Sequence, residues 1–315
     1  MKFGLPSMLT GGRALLLVSF LATLQVASAQ TNVLTWHNDN LRTGQNVTEP
    51  ILNLANVKSS AFGLRFNFPV DGKVDAEPLY VSAVCFSPTV RHNVVYAATE
   101  HDSVYAFDAD TGQQYWKVSV VGSGETSSDD RACGEPTPEI GITSTPVIDL
   151  TAGPHGTISL VAMSQDASGN YYQRLHALDL VTGIEEFGGP ITNQATYPGT
   201  GDNSHNGMLI FDPAQYKERA ALLLLNGVIY TSWASHCDIR PYTGLADWIQ
   251  REHLAAGETS STSRQMAVMV RPWNAGAGPA ADALGNIYIA LDNGTFDTTL
   301  TANGFPSLGD YATPL

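Results

Sequence analysis

The sequence predicts an all-β chain: a β-propeller of four-stranded blades, its ring incomplete, with about three to four blades present. Three observations predict it. The pattern apolar-x-Ala-apolar-Asp-x-x-Thr-Gly occurs at residues 104–112 and returns at 175–183. Each copy falls third in a run of four strand-like segments. Helical periodicity is nearly absent. A β-sandwich would not repeat a four-strand unit along the chain, whereas radial repetition does.

Residues 1–29 read as a secretory signal peptide. Lys2 and Arg13 precede an apolar run at 14–22, and Ala27-Ser28-Ala29 is an A-x-A cleavage pattern. The run is too short to span a bilayer. The mature chain is therefore expected to be secreted or periplasmic, with no membrane span after signal cleavage. Residues 30–75 form an entry segment, and 62–70 is a candidate ring-closing outer strand. Blades occupy 76–315. The first unit comprises 76–84, 93–99, 103–108 and 113–120. The second comprises 141–149, 157–163, 174–179 and 184–190. A third begins with 219–225 and 227–234, and a fourth with 276–282 and 286–291. In 103–108 and 174–179 the alternating apolar residues suit a strand buried on both faces. Asp-x-x-Thr-Gly then makes a tight turn, with Asp bonding backbone amides and Gly taking positive φ.

The run Tyr105-Ala106-Phe107-Asp108-Ala109-Asp110-Thr111-Gly112-Gln113-Gln114-Tyr115-Trp116, its copy at 176–183 and the opening Trp36–Gly44 resemble the PQQ-like repeat β-propellers. That superfamily includes the quinoprotein alcohol dehydrogenases. The resemblance covers most of 33–297. It implies the propeller fold, and for some members PQQ with calcium, held under an adjacent Cys-Cys disulfide. This chain has no adjacent Cys pair, so no cofactor residue is carried over and no cofactor is assured.

Residues 245–272 depart from the repeat. The third unit should supply its third strand there, yet 245–256 is charged and helix-like. Back-translated with permitted codons and read one nucleotide later, 245–256 can give Trp-Leu-Ile-Gly-Tyr-Asn-Ala-Ser-Thr-Leu-Gln-Gln, which aligns with 103–114. The expectation is a stretch translated out of frame, the other reading being a true insertion. The fourth unit lacks its outer strands before residue 315, which suggests a truncated member of the family.

Composition narrows the partners. Lys+Arg is 16 against 30 Asp+Glu, a formal charge of −14. Nucleic-acid binding rests on basic residues meeting phosphates, so it is not expected. No zinc-ribbon, serine-nucleophile or phosphate-loop motif is present.

In a propeller, the loops from strand two to three and from strand four to the next blade share one face. Here they carry Glu100, His101, Asp102, Glu139, His205, His236 and Asp238, a candidate ligand face. His101 between two carboxylates suits a metal ligand or general base, or simply a loop contact. Cys133 and Cys237 fall on the same face and are expected to form a disulfide. Cys85 lies at the other end of its blade. No catalytic residue and no metal site is assigned. The expected role is a binding or scaffolding module for a protein or glycan ligand. The alternatives are a quinone-dependent oxidoreductase domain or a glycan-active propeller enzyme.

Overall fold

The computed structural model describes residues 31–49, 51–134, 137–198, 204–238, 244–250, 271–272, 276–292 and 298–302. The signal-like residues 1–29 lie outside these. Apart from one 3-10 turn, the regular elements of the described residues are β-strands, in several antiparallel sheets. Among the described residues, no helix is long and apolar enough to cross a membrane.

Strands β1 (Leu79–Ser87), β2 (Val90–Ala98), β3 (Ser103–Asp108) and β4 (Gln114–Ser119) pair antiparallel in sequence order, a complete blade. All of β3 is buried. Its Val104 and Ala106 face the second blade. On its other face Phe107 meets Phe68, ring centroids 4.8 Å apart. Asp108 then closes the turn, its Oδ1 accepting from the amides of Asp110 (2.9 Å) and Thr111 (2.7 Å). Asp179 does the same for Val181 (3.0 Å) and Thr182 (2.8 Å) in the second copy.

The second blade contains β5 (Glu125–Asp129), β6 (Glu139–Ile140), β7 (Val147–Asp149), β8 (Thr157–Asp166), β9 (Tyr171–Asp179) and β10 (Ile191–Thr192). One edge of β8 is shared, by β7 at its start and β5 at its end. Residues 121–140, between the first two predicted units, are thus partly strand. The expected strand at 184–190 is not formed. A single bridge, Leu178 to Glu185, precedes the short β10. Phe187 and Gly188 take positive φ there, and Pro190 lacks a donor.

The hairpin β11 (Thr196–Pro198) and β12 (Met208–Ile210) leads to the third blade. That blade holds β13 (Tyr216–Glu218), β14 (Leu223–Leu225), β15 (Val228–Ser235) and β16 (Gly244–Gln250). The expected first strand, 219–225, is broken into β13 and β14, both on one edge of β15. On the other edge, β16 pairs with β15 from Val228 to Ala234. The helix-like pattern therefore gives strand over 244–250. An unpaired sheet edge satisfies its backbone by pairing, which outweighs local propensity. Residues 251–270 lie outside the described set. The remainder is β17 (Arg271–Pro272), β18 (Ala280–Ala281), β19 (Ile287–Tyr288) and β20 (Leu291–Asp292), with β18 on β19 and β17 on β20.

Two apolar layers join the blades. The first sets Val94, Tyr96, Val104 and Ala106 against Ile148, Ile158, Leu160 and Leu178. The second sets Val147, Val161, Leu175 and Ala177 against Leu222 and Ile229. Trp116 closes the first layer and Phe187 the second, at corresponding places in their blades. The Trp116 indole Nε1 donates to the Leu180 carbonyl at 3.2 Å. A Cβ on Gly183 would lie 2.9 Å from the Trp116 ring, so glycine is what lets the ring seat there.

Residues 62–70 form no strand. The expected ladder is replaced by side-chain packing, with Phe66 over Gly112 and Phe68 on Phe107. Phe62 and Leu64 stay exposed.

The entry segment has another role. Val33 bridges Tyr80 in β1. The Leu34 carbonyl accepts from the Ile148 amide in β7 at 2.8 Å. Asn40 donates through Nδ2 to the Leu224 carbonyl in β14 at 2.8 Å, and its own carbonyl accepts from Ala281 in β18 at 2.6 Å. Arg42 donates to Leu222 (3.0 Å) and Pro279 (2.9 Å). Residues 33–42 therefore tie together the first strands of all four units.

Candidate functional site

The sequence-predicted face resolves into two neighbouring groups. The first is acidic. Glu100 follows β2 and is buried at 1% exposure. Its Oε2 accepts from the Gly141 amide (2.8 Å) and the Thr143 hydroxyl (2.9 Å). Burial chiefly pushes its carboxyl up to about 7, and the Asp75 carboxyl adds to this. The Gly141 amide, Lys217 and Thr143 pull the other way. Asp102, fully buried with φ 52, is held well above the usual carboxylate range by burial. Glu100, Glu139 and Glu125 push in the same direction, and the Ser127 hydroxyl opposes them. His101 is half-exposed, and its Nδ1 lies 3.0 Å from both Glu139 oxygens. The carboxylate thus orients the imidazole.

The second group lies where β15 ends. Cys133 and Cys237 are disulfide-bonded, with Cα atoms 6.0 Å apart. His236 begins a 3-10 turn, His236–Asp238, and is buried at 7% exposure. Its amide donates to the Gln215 carbonyl at 2.8 Å. Burial chiefly lowers its imidazole, with Lys217 and Arg131 adding, so the ring favours its neutral form. Asp238 closes this turn, and its side chain lies outside the described residues. His205 stands exposed in the β11–β12 hairpin, its backbone bridged to Met208. Cys85 is free.

Lys217 links the two groups electrically, and sequence reading missed it. It is buried in β13, with its ammonium lowered to about 8 by burial. Its charge acts on Glu100 and on His236. Asp75 was missed as well.

Between β4 and β9 lies a cleft of about 280 Å³, lined in part by Val120, Gly122, Arg174, His176, Glu185 and Pro190. Glu185 Oε2 lies 2.8 Å from His176 Nδ1. Glu125 holds the Arg174 guanidinium with two bonds, 2.6 and 2.7 Å. Two further imidazole–carboxylate pairs, His92–Asp108 (3.1 Å) and His155–Asp179 (2.7 Å), sit at corresponding turns of the first two blades. Recurrence at the turn Asp marks them as turn fasteners.

Comparison with known proteins places this architecture. The PQQ_2 family model, described as outer membrane protein assembly factor BamB, matches residues 23–148 and 63–185, together just over half of the chain. The chain belongs to the PQQ-like repeat propeller family. This PQQ-like propeller is similar to quinohemoprotein alcohol dehydrogenase ADHIIG from Pseudomonas putida HK5: TM-score 0.50, 15% identity, 83% of this chain and 34% of that one. It is also similar to the quinohemoprotein alcohol dehydrogenase of Comamonas testosteroni: TM-score 0.44, 18% identity, 72% of this chain and 27% of that one. BamB from Moraxella catarrhalis aligns with TM-score 0.31 and 14% identity, over 62% of this chain and 45% of that one. The chain thus spans between about a quarter and a half of the length of these proteins. Likeness at these identities shows the fold alone. No curated protein matches the chain.

PQQ with calcium is the cofactor this fold family implies. The described residues do not fit it. The disulfide joins loops far apart in sequence and offers no adjacent Cys-Cys platform. The buried carboxyls Glu100 and Asp102 are packed round Gly141, where even a Cβ would collide with Asp102 Oδ1 at 2.7 Å.

Proposed function

We propose that this PQQ-like propeller is an exported binding or scaffolding module whose ligand, a protein segment or glycan, engages the face carrying His101, Glu139 and the Cys133–Cys237 bridge. One observation carries the reading. The conspicuous ionisable groups of that face are committed within the fold: Glu100 to Gly141 and Thr143, His101 to Glu139, Asp102 to full burial. What remains outward is a rigid rim of loops, pinned by a long-range disulfide. Such a rim presents shape and charge without a paired nucleophile and base.

The family model's description, an assembly factor, supports a protein ligand. The apolar run and A-x-A pattern of residues 1–29 support export to the periplasm or beyond, with 30–75 as entry segment and 76–315 as blades. The competing reading, a quinone-dependent oxidoreductase, has the fold in its favour and the donor set against it.

The test is direct. The purified chain is given PQQ and Ca²⁺ with an alcohol and an electron-accepting dye, and is separately screened on a glycan array and by photo-crosslinking from Glu139 in envelope extract. The proposal expects no dye reduction. It also expects a saturable, competable partner on the array or at the crosslink. Saturable quinone binding with turnover overturns it, as does absence of any competable partner.

A further inference from the structure

We propose that Cys133, His236 and Cys237 form a second, hidden site: a thiophilic divalent-metal centre that becomes available when their disulfide is reduced. One ligand atom from each residue lies within 4.8 Å of the others. Tetrahedral zinc sites need donor atoms about 3.5 Å apart, well inside that spread. The three residues arrive from two places, the loop after β5 and the end of β15, 104 residues apart at the sulfurs.

The imidazole supplies the independent observation. Its Nε2 is buried and has no hydrogen-bond partner among the described residues. The Asp130 main chain borders the same imidazole. A buried ring nitrogen without a hydrogen-bond partner is what a metal ion can take up as a ligand. A disulfide alone gives that nitrogen nothing to do. Metal coordination does.

The redox step balances with a dithiol reductant. The Cys133–Cys237 S–S bond takes two electrons and two protons from the dithiol, which becomes a disulfide. Two Cys thiols result. The metal ion then displaces both thiol protons and binds two thiolates and one imidazole, with a water completing the tetrahedron. Charge is compatible. The charges that act on His236 are the cations Lys217 and Arg131 and the Asp130 carboxylate. A divalent ion held by two thiolates adds no net charge to these surroundings. Exchange with an external disulfide reverses this: that disulfide takes the two electrons from the sulfurs and two protons from solvent and leaves as two thiols, the Cys133–Cys237 bond reforms, and the ion, having lost two of three ligands, is expelled.

The experiment uses the full chain, oxidised or reduced with dithiothreitol and desalted under anaerobic conditions, titrated with Co²⁺ as the optical probe. The reduced protein is expected to bind one Co²⁺, with thiolate-to-cobalt charge-transfer bands and tetrahedral visible bands that Zn²⁺ abolishes. The oxidised protein is expected to show neither. His236→Gln keeps the turn's size and should weaken Co²⁺ binding at least about 100-fold. Cys133→Ser should remove the charge-transfer bands. Where His236→Gln fails to fold by near-UV circular dichroism, His236→Asn gives the same readout. Reduced protein that takes up no Co²⁺ overturns the proposal. So does a folded His236 variant whose bands and affinity equal the native ones.

Discussion

Glu100 is the residue whose chemistry most constrains the account. Its folded-state carboxyl is raised from 4.5 to about 7, so the folded chain holds a proton that the unfolded chain releases. That contribution to stability is fully present below about pH 4.5 and is lost as pH rises through about 7. Lys217 runs in another window. Its ammonium is lowered from 10.5 to about 8, so its contribution is present above about 10.5 and is lost as pH falls through about 8. Between pH 5 and 7 Lys217 adds no change, while Glu100 and the likewise raised Asp102 both do, so comparison with a Glu100 variant isolates the Glu100 part. Glu100→Gln keeps an acceptor for Gly141 and Thr143. It should become more stable than the native chain by about 2 kcal/mol on going from pH 5 to pH 7.5. Urea unfolding of both proteins at the two pH values reads this, and parallel pH profiles would contradict it. The loop position of Glu100 and His101, between β2 and β3, follows from the strand count, whereas Glu139 falls in the short strand β6. Lys217 was not legible. In the run Tyr216-Lys217-Glu218-Arg219 it looks solvated, and only the folded pairing of β13 with β15 buries it.

At the scale of elements, the repeated turn was the most readable feature. Asp179 bonds two amides and also meets His155, so Asp179→Ala should cost about 1–2 kcal/mol in thermal or urea unfolding. An unchanged midpoint would remove the turn from the stability account. Gly183→Ala meets two obstacles, a φ of +68 and the Trp116 ring 2.9 Å away, and should destabilise by about 1–3 kcal/mol. If instead it stabilises, the blade contact is not tight. A second turn was readable but unread. Asp166 and Asp282 each bond the amides two and four residues on, the Asn side chain four on and the Tyr hydroxyl six on. The Asp-x-x-Gly-Asn-x-Tyr spelling is visible at 166–172 and 282–288. The strands at 184–190 and 62–70 were misread because their apolar content serves side-chain packing between elements, not a ladder. Periodicity alone does not separate the two. The strand at 244–250 was misread for the opposite reason: its partner edge, and not its own residues, decides it.

For the molecule as a whole, the entry segment organises the hub. Nothing in its composition announces this. Asn40 and Arg42 look like loop polar residues, and their acceptors, the carbonyls of Leu222, Leu224 and Pro279, are backbone groups that no side-chain motif encodes. The repeats made the radial arrangement legible, but the tie that runs across it was not. The guanidinium is partly buried and lowered to about 10, still charged at neutral pH, and it satisfies four oxygens from three parts of the chain. The most direct measurement is residue-resolved hydrogen exchange of the native chain and Arg42→Ala, following the amides of Tyr80, Ile148, Leu222 and Ala281. A hub strapped by residues 33–42 predicts that all four are protected in the native chain and that Leu222 and Ala281 lose most protection in Arg42→Ala, while the β8–β9 amides keep theirs. Free exchange of Ile148 and Ala281 in the native chain, or identical protection in the variant, would contradict it.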